Sequence, residues 1–432
     1  MRASVVAPRT VAPLAGALLV VMLLLAGAPS AAGAQETDTT QATPADSLHD
    51  RLMRAEEAIE VLREQLATLA ASSVQSATRV QTEIFGRVLV NGFVNGAAVN
   101  NVDVPLFVLP VRGRAGVGGT IRQTSLGVAI TVSPVLGGAF AGDLQTDFFG
   151  GQQPSTGGRN FPLLRVRTAR GIVRWSRAEL LFGQESPLVA GLNPVSVASF
   201  GTPGFVTAGN LWLWLPQLRV TTELGTTARI AFQAAVLAPT SSDPAAAFDT
   251  DVDSAERSSR PYLQARLRAR WGENDETGGE IGVGVHRGWV QHGPENLLTS
   301  EAIVVTARIP FTRFVELRGE GYAGRATRGL GGGGIGQNVT TAGDPVRDRG
   351  AWAQLNVRPS SIVEFGGGCG AADPEDDDLP ANRQRNSACE VHLITRPGGP
   401  LLAGLEYRRL RTTYPQRVAH DDHVNLALGF EF

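Results

Sequence analysis

Arg266, Arg268 and Arg270 alternate with small or apolar residues over 265–271. In a β-strand, successive side chains point to opposite faces, so the three guanidinium groups would share one face about 7 Å apart. A guanidinium is a planar fork that binds a carboxylate or phosphate through two hydrogen bonds. The pattern therefore predicts either a row of weak anion sites or a row of salt bridges to neighbouring strands, and both interpretations stay open.

Other charged residues share this inward-facing register on further predicted strands. The basic candidates for an anion path are Arg165, Arg167, Arg219, Arg266, Arg268, Arg270 and Arg318. The acidic candidates are Asp143, Asp147, Glu223, Glu280, Glu316 and Glu320. If the strands close around a lumen, such rings and ladders of charge set which ions pass.

Motifs for catalysis are absent from the sequence, which contains neither H-E-x-x-H nor G-x-S-x-G. The Gly-rich run 329–334 fits a dinucleotide motif by count but lacks a strand-to-helix context. The acidic run 373–378 lacks the spacing of a calcium loop and favours a solvated loop over a divalent-cation site. A net charge of −2 without charge blocks argues against a nucleic-acid partner. We therefore predict no enzyme, no cofactor and no metal.

The elements that carry these residues are predicted to be strands over the range 82–432. Period-two alternation defines sixteen segments, and long connections alternate with short turns. The long connections are 99–118, 186–209, 239–259, 324–348 and 371–385. Long loops at one end and tight turns at the other are typical of outer-membrane barrels, and a soluble β-sandwich has no reason to keep that rule. The fold class predicted is an all-β transmembrane barrel of about 16 antiparallel strands, preceded by a short α-helical coiled coil.

Aromatic residues fall near both ends of the predicted strands. Trp175, Trp271 and Phe311 lie near short turns, while Trp212 and Trp214 lie at the long-loop end of a strand predicted over 210–224. Both positions match the interfacial aromatic girdles of a membrane barrel.

The loop 186–209 is unusually apolar and includes Pro187, Leu192, Phe200 and Phe205. Exposed outside the barrel, these side chains would form a hydrophobic patch in water. Folding into the lumen as a constriction loop, or packing at a contact between subunits, would hide them. A disordered external loop is the third alternative.

Cys369 and Cys389 fall on the outward faces of opposite arms of one predicted hairpin. They could form a disulfide, because the bacterial envelope is oxidising.

The N-terminal region predicts export and assembly. Residues 1–34 have the basic start, apolar run and small-residue cleavage site of a secretory signal peptide. A polar linker over 35–47 precedes a three-heptad apolar seam over 48–76. The seam predicts a periplasmic coiled coil, and the alternative is one amphipathic helix packed on its own domain. Its mixed Leu/Ile core does not decide between dimer and trimer.

The last predicted strand ends on alternating hydrophobic residues that include Phe430 and Phe432. This pattern resembles the C-terminal signal by which the barrel-insertion machinery recognises outer-membrane proteins.

Four segments resemble the DcaP-like trimeric porins and, more distantly, the phosphate-selective and general porins. They are LQTDFFGG (144–151), LLRVRTARG (163–171), LLFGQESP (180–187) and LWLPQLRVTTEL (213–224). The resemblance implies a 16-stranded homotrimer in the lipid bilayer of the bacterial outer membrane, admitting small anions such as dicarboxylates by passive diffusion. The segment GQESP departs from the family, which favours an aromatic residue after Gln, so the solute stays open. The rival predictions are a structural or adhesive barrel and a barrel enzyme.

Overall fold

The computed structural model describes residues 80–111, 113, 115–150, 162–242, 252–272, 278–332 and 337–432, together with Met53, Glu60 and Arg63. The chain divides into two compact units, Met1–Leu69 and Ala70–Phe432. The predicted signal peptide and linker lie outside the described residues. So does most of the predicted coiled coil; Met53, Glu60 and Arg63 are helical, and Arg63 Nη1 lies 3.6 Å from Glu60 Oε2. Among the described residues, no helix is long and apolar enough to cross a membrane.

The described part of Ala70–Phe432 contains seventeen strand segments and three 3₁₀ turns. The strands are β1 (Val80–Asn95), β2 (Gly116–Thr120), β3 (Ser125–Val135), β4 (Gly138–Asp147), β5 (Arg165–Arg174), β6 (Ala178–Glu185), β7 (Leu215–Leu224), β8 (Ala228–Leu237), β9 (Tyr262–Trp271), β10 (Gly279–His292), β11 (Asn296–Thr312), β12 (Val315–Arg325), β13 (Arg347–Val357), β14 (Val363–Ala372), β15 (Arg385–Thr395), β16 (Leu401–Tyr414) and β17 (Arg417–Glu431). The 3₁₀ turns are Glu256–Ser258, Thr327–Leu330 and Asp376–Asp378.

The sheet closes on itself through β1. One edge of β1 pairs with β17, where Arg87 lies opposite Glu431 and Asn95 opposite His423. The other edge pairs with β3 near the start of β1 and with β2 near its end. The segments β2 and β3 thus form one strand of the wall, interrupted at 121–124. The predicted barrel of sixteen antiparallel strands is confirmed.

The pleat separates an outward apolar face from an inward polar face. On β9, Leu267 is 47% exposed, whereas Arg266, next to it in sequence, is 7% exposed. Apolar side chains that point away from the lumen suit contact with lipid, and the polar inward face suits water.

All of the long connections lie at one end of the barrel. That end carries 96–115, 148–164, 186–214, 238–261, 293–295, 326–346, 373–384 and 415–416. The other end carries 136–137, 175–177, 225–227, 272–278, 313–314, 358–362 and 396–400. Two connections at the long-loop end, 293–295 and 415–416, are nevertheless tight. The strand predicted from residue 210 begins instead at Leu215, because 210–214 belong to the inward loop described next.

Candidate functional site

The loop 186–214 lies inside the barrel and is held by side chains of the wall. Gln354 of β13 accepts a hydrogen bond from Val195 N (2.8 Å) and donates one to Val195 O (2.9 Å). Gln123, in the break between β2 and β3, donates to Ala198 O (2.8 Å) and accepts from Gly201 N (2.7 Å). Contacts on both sides of the barrel place the loop across the lumen.

The apolar side chains of this loop are covered by the wall. Leu188 packs with Tyr262 in one buried cluster, and Phe205 stacks on Trp352 with ring centroids 5.9 Å apart. Inward-facing glycine makes room for such contacts: a Cβ on Gly404 would lie 2.2 Å from Val197 Cγ2. The alternative of a disordered external loop is therefore wrong, because the apolar side chains of 186–214 are buried inside the lumen and not exposed to outside water.

The four loop residues singled out in the sequence occupy different places. Pro187 and Phe205 are buried, whereas Leu192 and Phe200 are half-buried. The guanidinium groups of Arg87 and Arg167 lie 4.1 and 4.0 Å from the centroid of the Phe200 ring. These two cation–π contacts attach the loop to β1 and β5.

Trp212 and Trp214 turn inward and do not form an interfacial girdle. The Arg165 guanidinium lies 5.0 Å from the Trp214 ring and 5.9 Å from the Trp212 ring. Cation–π attraction to an inward arginine holds this end of the loop inside, so the girdle predicted at these two residues is wrong.

The arginine row of β9 faces inward and is paired with carboxylates. Glu280 Oε1 lies 2.7 Å from Arg266 Nη2, and Glu280 Oε2 lies 3.6 Å from Arg268 Nη1. Arg270 Nη1 lies 3.8 Å from Glu223 Oε1. Salt bridges therefore form, but three guanidinium groups share two carboxylates, and positive charge remains in excess.

Further arginines surround this row. Arg219 of β7 donates to Ser186 O and to Gln217 Oε1, both at 2.8 Å. Arg229 of β8 lies 3.9 Å from the same Glu223 that Arg270 contacts. Arg229, Arg268 and Arg270 line part of a cavity of about 360 Å³ at the short-turn end.

The neighbouring strands β4 and β5 carry a second set of ion pairs. Asp147, which is fully buried, lies 2.6 Å from Arg165 Nη2 and 3.6 Å from Arg167 Nε. Asp143 lies 2.7 Å from Arg170 Nε, and Arg170 also contacts Glu185. Strict alternation from Arg165 and Arg167 would place Arg170 on the outward face. A register shift between β4 and β5, where Thr146 pairs with Val166 but Gln145 with Thr168, brings Arg170 inward, so the sequence pattern could not find it.

On the opposite wall, Arg318 contacts Glu316 and donates to Asn193 O of the inward loop at 3.1 Å. Glu320 is buried and accepts from Leu211 N at 2.8 Å. Arg318 and Glu320 therefore hold the loop as well as facing the lumen.

The remaining predicted residues lie outside the lumen. Cys369 and Cys389 pair across β14 and β15 on the outward face and are joined by a disulfide. Phe430 and Phe432 point outward at the short-turn end, where Phe432 exchanges two backbone hydrogen bonds with Gly86. In the acidic loop, Asp373 pairs with Arg349 and Asp378 pairs with Arg347. The described residues contain no group of three or more His, Cys, Asp or Glu side chains that could hold a metal ion.

A closed sixteen-strand barrel with a long loop folded into its lumen is the architecture of a porin. The chain is similar in fold to the outer-membrane channel DcaP of Acinetobacter baumannii, with a TM-score of 0.65 and 16% identity over 84% of this chain and 100% of that chain. It is also similar to the anion-selective porin from Comamonas acidovorans, with a TM-score of 0.55 and 12% identity over 82% of this chain and 100% of that one. The OmpF of Salmonella typhi gives a TM-score of 0.53 and 9% identity over 83% and 99% of the two chains.

The predicted resemblance to the DcaP-like porins is confirmed at the level of the fold. No family model matches the chain, and no curated protein matches its sequence.

Proposed function

We propose that this porin-fold barrel lets small anionic solutes diffuse across the bacterial outer membrane along the inward face of β4–β10. The supporting observation is the division of charge between two walls. The inward face of β4–β10 carries nine arginines and six carboxylates: Arg165, Arg167, Arg170, Arg174, Arg219, Arg229, Arg266, Arg268, Arg270, Asp143, Asp147, Glu179, Glu185, Glu223 and Glu280. The inward face of β12–β16 carries two arginines and six carboxylates: Arg318, Arg408, Glu316, Glu320, Asp348, Glu364, Glu390 and Glu406.

This division matters because ions in the lumen pass close to the walls. At physiological ionic strength the Debye length is about 8–10 Å, so a solute beside β9 is influenced mainly by that wall. Each solvated contact contributes on the order of 1 kcal/mol or less, which permits both binding and release. Several contacts together could favour anions over cations several-fold, since each 1.4 kcal/mol is about tenfold.

The inward loop 186–214 would act as the constriction. It covers the lumen side of β10–β13 and β16, where Val189, Val195 and Val197 contact the wall. Side chains toward the short-turn end of β5–β9, including Arg170 and Arg270, keep part of their surface accessible. A solute would therefore meet the arginine-rich wall.

We also propose which end of the barrel faces the periplasm and how several barrels associate. β1 starts and β17 ends at the short-turn end, so the segment before Val80 would leave the barrel on the periplasmic side. A helix over 48–76 in the periplasm would join three barrels, and the C-terminal Phe430 and Phe432 would serve recognition by the insertion machinery.

The test is the reversal potential of single channels in a planar bilayer under a salt gradient. Substituting Gln for Arg266, Arg268 and Arg270 would leave six arginines and six carboxylates on β4–β10, so anion preference should fall toward zero. E280Q should shift the potential in the opposite direction, because it frees two guanidinium groups. Both shifts should grow at low salt. R411Q, on the outward face of β16, is the matched control and should change nothing.

An unchanged reversal potential in the triple variant and in E280Q would remove the anion path and leave a non-selective porin. Absence of conductance steps from the folded wild-type barrel would favour the structural or adhesive alternative.

A further inference from the structure

A row of arginines points outward at the long-loop end of β10–β16, on the surface that faces away from the lumen. This outer arginine row comprises Arg287, Arg325, Arg347, Arg349, Arg385, Arg409 and Arg411. Its first members lie opposite one another in the backbone ladder across four strands. Arg287 lies opposite Glu301, Glu301 opposite Arg325, and Arg325 opposite Arg347.

The row begins where the lipid-facing band ends. On β10, the outward side chains of Ile281, Val283 and Val285 precede Arg287. On β11, Val305 and Ile303 lie on the same face, below Glu301. A charge on the lipid face is far more costly at the bilayer midplane than near the interface, so the row marks the level of the headgroups.

The carboxylates beside the row neutralise only part of it. Glu301 is shared by Arg287 (2.7 Å) and Arg325 (2.6 Å). Asp373 is shared by Arg349 (3.0 Å) and Arg385 (3.8 Å). These four arginine side chains keep 42–64% of their surface exposed, so each can donate to a further acceptor.

The rest of the outward surface is different. In the described strands β1–β9, no charged side chain points outward, and apolar residues such as Val94, Val117 and Val236 extend toward the same rim. At the short-turn end, Phe311 and Phe432 occupy the outward face instead of arginine. The row is therefore a local feature of one half of one rim.

We propose that the outer arginine row binds the phosphate groups of a phosphorylated glycolipid in the outer leaflet, an inference that rests on the membrane location in the proposed function. Guanidinium groups bind phosphate oxygens through two charge-assisted hydrogen bonds. Anionic headgroups attract basic side chains near a membrane surface by about 1 kcal/mol for each. A lipid anchored in the band below would present its phosphates at the level of the row.

A second copy of the chain fits the row less well. On the described strands, the outward carboxylates are Glu301 on β11 and Asp422 on β17, and both belong to this same half of the barrel. The uncharged outward face of β1–β9 therefore offers no acidic surface to meet the arginines.

The test compares the purified full chain with a variant that removes two net positive charges: R287Q, E301Q, R325Q, R349Q, D373N and R385Q together. The carboxylates are replaced as well, so that none loses its partner. The probe is bis-phosphorylated lipid A in detergent micelles, measured by native mass spectrometry as bound lipid per chain. Lipid A stripped of both phosphates and phosphatidylcholine are the comparison lipids, and inorganic phosphate is the competitor.

The wild type should prefer the phosphorylated lipid, and the variant should lose affinity by about thirtyfold, the factor that corresponds to two net charges at about 1 kcal/mol each. Millimolar inorganic phosphate should compete only weakly, because it lacks the acyl chains. The variant should keep heat-modifiable migration and wild-type conductance, which separates failure of this inference from failure of the porin proposal.

Three results would overturn it: equal retention by wild type and variant, equal binding of phosphorylated and stripped lipid, or full competition by free phosphate. Cross-linking of a second subunit to residue 287 or 349 would assign the row to a protein partner and overturn it equally.

Discussion

Gln123 attaches the inward loop through two hydrogen bonds to its backbone. Its amide donates to Ala198 O and accepts from Gly201 N, and it is fully buried. The wall strand is interrupted at 121–124, between β2 and β3, and this break lets the side chain reach the loop.

Q123L should loosen the loop while leaving the barrel closed. The two backbone groups would stay buried without partners, which costs on the order of 1–3 kcal/mol for each. We expect larger current fluctuations in single-channel recordings, without loss of heat-modifiable migration. Q233L is the matched control, because Gln233 is also buried and inward but bonds Thr221 within the wall. Equal noise in both variants would show that Gln123 does not anchor the loop.

The Asp378 carboxyl should make the stability of the loop 373–384, which lies outside the membrane-spanning strands, depend on pH. Arg347 donates Nη2 to Oδ1 (2.9 Å) and Nε to Oδ2 (3.1 Å), and these bonds lower the pKa of the Asp378 carboxyl below its usual range. A lowered folded-state pKa means that this contact stabilises the loop 373–384 above the unfolded pKa of about 3.9 and is lost as the pH falls through the folded value.

Amide hydrogen exchange over 376–378 should therefore accelerate at acid pH beyond the intrinsic chemical rate. D378N should exchange faster at neutral pH and lose the excess acid dependence. An identical acid profile in wild type and D378N would contradict the role of this carboxyl.

At the scale of elements, the hairpin of β14 and β15 is closed twice, by its ladder and by the disulfide. Cys369 and Cys389 are 20 residues apart in sequence. Closing a loop of that length lowers the entropy of the unfolded chain, which stabilises the fold by about 3 kcal/mol in the chain-entropy description.

The double variant C369S/C389S should therefore lower the temperature at which the barrel loses its folded migration on gels. Conductance should not change, because both side chains face away from the lumen. Wild-type heat resistance in the double variant would show that the ladder alone sets hairpin stability.

Period-two alternation predicted the number of wall strands, because a barrel imposes the same outward-apolar pattern on each. It did not predict the interruption at 121–124 or the start of β7 at Leu215. It placed Arg266 and Arg268 on the inward face correctly, since alternation fixes the face of each residue. It could not assign Trp214, whose inward position depends on Arg165, 49 positions earlier in the sequence. Alternation also placed Glu280 on the inward face beside the β9 row, so a salt bridge there was predictable. It could not show that Glu280, which lies opposite Arg270 in the ladder, contacts Arg266 and Arg268 instead, because side-chain conformation decides that.

At the scale of the whole molecule, the predicted helix over 48–76 and the barrel are expected to contribute separately to stability. The barrel closes by its own ladder between β1 and β17, so it does not need the helix to fold. Deleting 45–75 should therefore preserve heat-modifiable migration but shift the purified protein to smaller oligomers in size-exclusion chromatography with light scattering. A deletion variant that fails to form a barrel would place the stability in the helix.

The outward surface is charged on β10–β16 and uncharged on β1–β9, and this difference leads us to expect that β1–β9 contacts another copy of the chain. Burying the outer arginine row against protein would remove more guanidinium groups than carboxylates from water, and an uncompensated buried charge is strongly destabilising. The outward face of β1–β9 carries no such charge, so association there hides apolar surface only.

Leu126 on β3 and Ile303 on β11 are matched aliphatic positions, 42% and 60% exposed in the single chain. A fluorophore attached to L126C should be shielded from brominated lipids, whereas one attached to I303C should be strongly quenched. Deleting 45–75 should raise quenching at residue 126 and leave residue 303 unchanged, because only the first position would lose a neighbour. Equal quenching at both positions in the intact oligomer would place the contact between copies elsewhere.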